Sequence, residues 1–179
     1  MDKGIVFRAY IENLGLYNSG IDCGKWISFP LKCSNGNLKN EIRKILSEIQ
    51  IYEMGKHEYF FADFDSAIVG LTRCLYEYDN ITLLNYLANE IVKMDCSIEK
   101  FEAMLEYGTS TYSVEELVNL IRSQDSFIFM DNIDSDYDLG YEALRYMEEN
   151  RDSELPEPFV CYVPTGHGSP HQTLPLGAT

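Results

Sequence analysis

The sequence is short of bases. Fourteen Lys and Arg stand against 29 Asp and Glu, giving a net charge of −15 at pH 7. A field of that sign repels nucleic acid and anionic membrane at long range, which argues against direct DNA or RNA binding. No apolar run approaches the ~20 residues of a membrane span, and no charged-then-apolar leader opens the chain. The expectation is a soluble, unsecreted protein. The five cysteines (Cys23, Cys33, Cys74, Cys96, Cys161) are odd in number and include no Cys-x-x-Cys pair, which predicts reduced cytosolic thiols and no zinc site. Histidine is scarce as well. Two of the three, His167 and His171, lie in the tail, so a Cys–His or Ser–His–Asp arrangement has little material, and His57 reads as a surface residue at a strand entry. Gly20–Trp26 fails as a phosphate loop because its glycine spacing is one residue short and Trp26 stands where Ser or Thr is required. These absences predict a protein without catalysis, cofactor or metal.

What is present is apolar and acidic. Hydrophobic residues make up 45% and aromatics 13%, which excludes a disordered tail protein. A chain of 179 residues suits one ordinary domain or two or three small ones. The acid is uneven: residues 1–60 carry a net +1, residues 61–110 a net −6 and residues 111–179 a net −10. Such asymmetry points to a charged interaction face, and the partner that charge selects is basic.

Local patterns predict α+β structure in three small segments. In the first, residues 1–64, strands are expected at Gly4–Asn13, Gly24–Phe29 and Glu58–Phe64, with a turn at Asn18–Gly20 and Pro30 ending the second strand. Ile42, Ile45, Leu46 and Ile49 recur at helical spacing within Leu38–Ile51. The second segment, 65–110, reads as mainly helical. Asn80 is a natural N-cap for a helix whose apolar face holds Ile81, Leu84, Ala88 and Ile91. A further helix carries Ile98, Phe101, Met104 and Leu105, with Gly108 as its stop. On it Glu99, Glu102 and Glu106 follow steps of three and four, an acidic stripe with a pitch of roughly 5 Å.

The third segment, 111–179, opens at Ser113, which with Glu116 makes a capping box. A strand is expected at Ser126–Met130 and a helix at Leu139–Glu149. Between them Asp131–Asp138 places four acids in eight residues. Asp134-x-Asp136-x-Asp138 has the opening of a calcium loop, but Leu139 and Arg145 occupy the positions that such a loop gives to Gly and Glu. The run reads as a solvated turn in which Asp138 complements the helix N-terminus. From Val163 the chain has no acid, Lys or Arg and reads as a neutral Pro/Gly tail.

The stretch Ala9-Tyr-Ile-Glu-Asn-Leu-Gly-Leu-Tyr-Asn-Ser-Gly20 resembles the opening of the ArdA antirestriction proteins, and Gly24–Pro30, with its Gly-x-Trp, continues the resemblance. Glu58–Phe64, Tyr78–Asn85, Ser113–Leu117 and Asp134–Gly140 are similar to later family motifs, so the likeness covers about residues 5–158. The neutral stretch Phe159–Thr179 departs from the acidic, tyrosine-rich ending of the family. The resemblance implies an elongated three-domain chain that dimerises, mimics bent B-form DNA and occupies the DNA-binding groove of type I restriction–modification enzymes in the bacterial cytoplasm, encoded on mobile elements. An alternative is an acidic mimic or adaptor aimed at another DNA-handling or defence protein, such as a CRISPR effector; a third is a small hydrolase or calcium-binding module. Under the mimic reading, the acids expected to face the partner are Glu99, Glu102, Glu106, Glu115, Glu116, Asp131, Asp134, Asp136, Asp138 and Glu142. Phe127, Phe129 and Met130 are the expected dimer seam, since a β-prone aromatic strand at a sheet edge invites a second copy. Twice −15 equals the charge of ~50 Å of duplex at full phosphate density, enough for the role.

Overall fold

The computed structural model describes residues 4–33, 37–52, 58–107, 113–130, 133–149 and 159–161. The fold is mixed α+β, with six α-helices and a three-stranded antiparallel sheet among the described residues. The chain divides into two compact units, residues 1–95 with 111–121 and residues 96–110 with 122–179.

The first unit is built on the sheet, ordered β2-β1-β3, with β1 (Phe7–Asn13) between β2 (Gly24–Phe29) and β3 (Tyr59–Ser66). Alternation along Phe7–Ile11 sets its faces. Phe7, Ala9 and Ile11 of β1 are fully buried, with Ile27 and Phe29 of β2 and Phe61 of β3 also in the core. Phe7 stacks on its register partner Phe29 with ring centroids 4.9 Å apart. Burial of each such side chain stabilises by about 1.5–3 kcal/mol, so a register slip of one residue is strongly disfavoured. A bulge between Tyr10 and Ile11 shifts the β1–β3 pairing.

Helices complete this unit. The short α1 (Leu14–Asn18), absent from the sequence reading, forms because the Asn13 side chain accepts from the Leu16 N–H at 3.0 Å. The same Asn13 donates to the Ile49 carbonyl at 2.9 Å and so ties β1 to the end of α2 (Leu38–Glu48). α2 ends three residues earlier than the periodicity predicts, because Gln50 takes a φ of 62° and Ile51 N–H turns back onto Leu46. α3 (Ile81–Lys93) starts at the expected cap: Asn80 accepts from Thr82 and Leu83. It buries Asn85, which accepts from Leu31 N–H at 2.7 Å and fixes the chain just after β2. Residues 114–121 of α5 (Val114–Arg122) also belong here, and Ser113 caps them by accepting from Glu116 N–H at 3.1 Å.

The second unit holds α4 (Ile98–Tyr107), β4 (Ile128–Met130), α6 (Asp136–Glu149) and β5 (Phe159–Cys161). Phe101 and Met104 are the buried centre of α4. Tyr107 meets Phe127 edge to face at 6.0 Å. A smaller cluster of Met130, Ile133 and Leu139 has Ile128 and Tyr146 packed against it. β4 is shorter than the strand expected at Ser126–Met130, because Gln124–Ser126 closes into a 3-10 turn. It pairs in parallel with β5, a strand unforeseen in the sequence because three residues carry no alternation signal. α6 starts three residues before the expected Leu139: Ser135 Oγ accepts from Asp138 N–H at 3.2 Å and donates to its carboxylate at 2.6 Å. Gly108 and the tail from Val163 lie outside the described residues.

Candidate functional site

The expected acidic positions distribute over both units. On α4, Glu99 and Glu106 are exposed and Glu102 is half-buried. On α5, Glu115 and Glu116 are exposed in the first turn, where carboxylates complement the helix N-terminus. Asp134 and Asp136 are exposed at the start of α6, whereas Asp138 is half-buried and engaged by Ser135. Glu142 is also half-buried and forms an ion pair with Arg145 at 2.6 Å, which neutralises it locally. Asp131 lies outside the described residues. Among the described residues no group of three or more His, Cys, Asp or Glu could hold a metal ion. No helix among them is long and apolar enough to cross a membrane.

The residues expected at a dimer seam are unequally available. Phe127 and Met130 are buried within their own chain, and Phe129 is half-buried. An open cleft of about 540 Å³ lies between β4 and α6, lined in part by Phe129, Met130, Tyr141 and Arg145. α6 itself buries only Leu139 and exposes Tyr137, Tyr141 and Leu144 at steps of four and three.

The sequence reading missed a second constellation, on the open face of the first unit's sheet. Alternation sends Arg8, Tyr10 and Glu12 to the side opposite Phe7, Ala9 and Ile11. Arg8 donates through Nε to Asp65 at 3.0 Å, pairs with it through Nη2, and sits 5.5 Å over the ring of Trp26. Tyr10 meets Trp26 edge to face at 5.6 Å and donates its hydroxyl to Asp22 at 3.1 Å. The ring needs Gly24 opposite it, since a Cβ there would stand 2.6 Å from Tyr10 Cε1. Glu12 pairs in register with Gly24 and Phe60 and is only 5% exposed. Burial, with the Asp22 charge adding, raises the Glu12 carboxyl above its ordinary value. Tyr10 is raised by the same two influences. The signal available in the sequence was the polar set 8, 10, 12 alternating with the apolar set 7, 9, 11.

Elsewhere, burial raises Asp79, with Glu115 of α5 adding to the effect and a hydrogen bond from Tyr76 N–H opposing it. Glu48 is lowered by Lys25, its ion-pair partner across β2 and α2. Gly20–Trp26 leads into the strand β2, not into a helix, so the geometry of a phosphate loop is absent there.

The comparisons with known proteins agree with the motifs in the first strand and turn. The family described as antirestriction protein (ArdA) matches residues 9–165, most of the chain. No curated protein matches the sequence.

Proposed function

The chain belongs to the ArdA family of antirestriction proteins, and from that premise we propose that it imitates DNA in the DNA-binding groove of a type I restriction–modification enzyme. Family membership makes it a non-enzymatic inhibitor directed at restriction–modification. The observation that carries the finer reading is the set of exposed carboxylates on and beside regular helices: Glu99 and Glu106 on α4, Glu115 and Glu116 on α5, Asp136 in the first turn of α6 and Asp134 just before it. A rigid helix presents its charges at fixed spacing, and a basic groove that reads phosphates by charge responds to spacing and sign. Asp131, Glu102, Asp138 and Glu142 are further acids proposed to meet the partner. The proposed organisation is three small domains, 1–64, 65–110 and 111–179.

We further propose that two copies associate through the last segment, around Phe127, Phe129 and Met130. Supporting this is the apolar stripe of Tyr137, Tyr141 and Leu144 on α6, beside the cleft next to β4. An apolar seam is what two chains of −15 need to overcome their repulsion. The site of action is the cytoplasm of the bacterial host.

The test is competition. The purified protein, added to a type I enzyme bound to fluorescent duplex, releases the duplex, and excess unlabelled duplex reverses the inhibition. Inhibition that excess duplex leaves unchanged contradicts occupation of the groove.

A further inference from the structure

We propose that the neutral stretch after β5, residues 163–179, packs into the cleft between β4 and α6 of its own chain, with Leu174-Pro175-Leu176 against the aromatic lining. The proposal goes beyond the antirestriction reading and does not depend on it. It assigns an occupant to the cleft of the second unit and a role to a stretch that the acidic face does not use.

The cleft suits a neutral, partly apolar guest. Its volume of about 540 Å³ falls in the ~300–1,000 Å³ range of sites that enclose drug-sized ligands, which is room for a few side chains. Phe129, Tyr141 and Tyr146 give it an aromatic lining. The charged groups along it already have partners. Arg145 pairs with Glu142 at 2.6 Å and with Glu149 at 3.9 Å, and Asp138 accepts from Ser135 Oγ at 2.6 Å. A charged guest would have to compete with these pairs, whereas a neutral one leaves them in place. On the helix side, α6 buries only Leu139 among the described residues, and Tyr141 is 59% exposed.

The stretch has the matching chemistry. Val163–Thr179 holds no Asp, Glu, Lys or Arg, and it carries Pro164, Pro170 and Pro175, with Leu174 and Leu176 around the last. Proline-rich segments lose little freedom when they dock, and they bind grooves lined by aromatic rings. Place and length fit as well. β5 pairs in parallel with β4, with Cys161 opposite Met130, and Met130 lines the cleft. The chain therefore leaves β5 beside the cleft. The 18 residues from 162 to 179 (179 − 161) reach up to ~60 Å when extended. The 14 residues of α6 span only ~21 Å. The stretch is long enough to turn back and lie along the helix. Tethered so near, it meets the cleft at an effective concentration on the order of millimolar, well above that of a separate guest in dilute solution.

Photo-crosslinking in the full chain tests this. Benzoylphenylalanine replaces Tyr141, whose exposure lets it tolerate the exchange. Isotope-labelled and unlabelled protein are mixed, irradiated and digested, so that a product between copies is recognised by carrying both isotopes. Irradiation is expected to join position 141 to residues 163–179 within one chain. Leu174→Ser combined with Leu176→Ser should cut that product at least about tenfold. The same pair, made in the otherwise unaltered protein, should speed hydrogen exchange in α6 and leave α3 unchanged. The absence of a same-chain product with 163–179 overturns the proposal, as does an α6 exchange rate that the leucine pair leaves unchanged. Products only between copies place a second copy in the cleft: the dimer reading then stands and the present one falls. Same-chain products without mixed ones have the reverse meaning.

Discussion

The two units spend their apolar residues differently. In the first, α3 buries six residues and the central strand buries Phe7, Ala9 and Ile11 completely. In the second, α6 is one residue longer than α3 and buries only Leu139, while Tyr137 is 80% and Leu144 65% exposed. A helix so poorly covered by its own chain gains little stability from tertiary packing, which is where most helical stability arises. The first unit is therefore held by its core. In the second, α4 is buried in the same way, and it is α6 that presents surface.

The sharpest way to break this contrast is to empty one core. Phe29→Ala removes a ring stacked on Phe7 and should cost about 3–5 kcal/mol of stability in urea unfolding. Leu144→Ala on α6 should change the stability of the isolated chain by less than about 0.5 kcal/mol. The exposed stripe should matter for association instead. Tyr141→Ser combined with Leu144→Asp is expected to weaken the proposed dimer by about tenfold or more in sedimentation equilibrium. An unchanged dimer would exclude α6 from the seam.

A smaller effect concerns charge inside the first unit. Glu12 and Asp79 are both raised by burial. For an acid whose folded value lies above its unfolded one, stability is fully present below the unfolded value and declines as pH rises through the folded value. Glu48, lowered by Lys25, acts oppositely, and its contribution disappears as pH falls through its depressed folded value. Glu12→Gln should therefore stabilise the protein at pH 7. The gain should shrink as pH falls and Glu12 takes up its proton. Thermal melts of the two proteins at stepped pH measure the difference directly.

Modest effects are expected at the caps, and they separate the units again. Asn80→Ala removes a cap that accepts two N–H groups and should cost about 1 kcal/mol. Ser135→Ala at α6 should cost a similar amount in its own unit while leaving the α3 unit unchanged, as read by hydrogen exchange.

Legibility in the sequence followed the strength of local signals. β2 was readable to the residue at Gly24–Phe29, because alternation and Pro30 mark it. The start of α3 was readable because Asn80 is a strong cap. The capping serine of α6 went unread because the acidic run around it drew a turn reading, so the helix was expected three residues late. β5 was hidden because a three-residue strand is defined by its partner β4 and not by its own pattern. The acidic positions were legible as residues but not as surroundings: the charge count cannot reveal that Glu142 is held by Arg145 or that Asp138 is spent on Ser135. The sheet face with Glu12 was missed for a related reason. A single glutamate in a strand reads as solvent-facing, and only the register with Gly24 and Phe60 shows that it is enclosed.

The central claim is that this chain competes with DNA through imitated charge, and the salt dependence of its affinity for a type I enzyme tests that most directly. Affinity for the enzyme, measured without DNA between 50 and 200 mM salt, should fall by about tenfold or more, tracking the enzyme's affinity for duplex over the same range. An affinity that stays constant across that range while duplex binding falls would contradict the account.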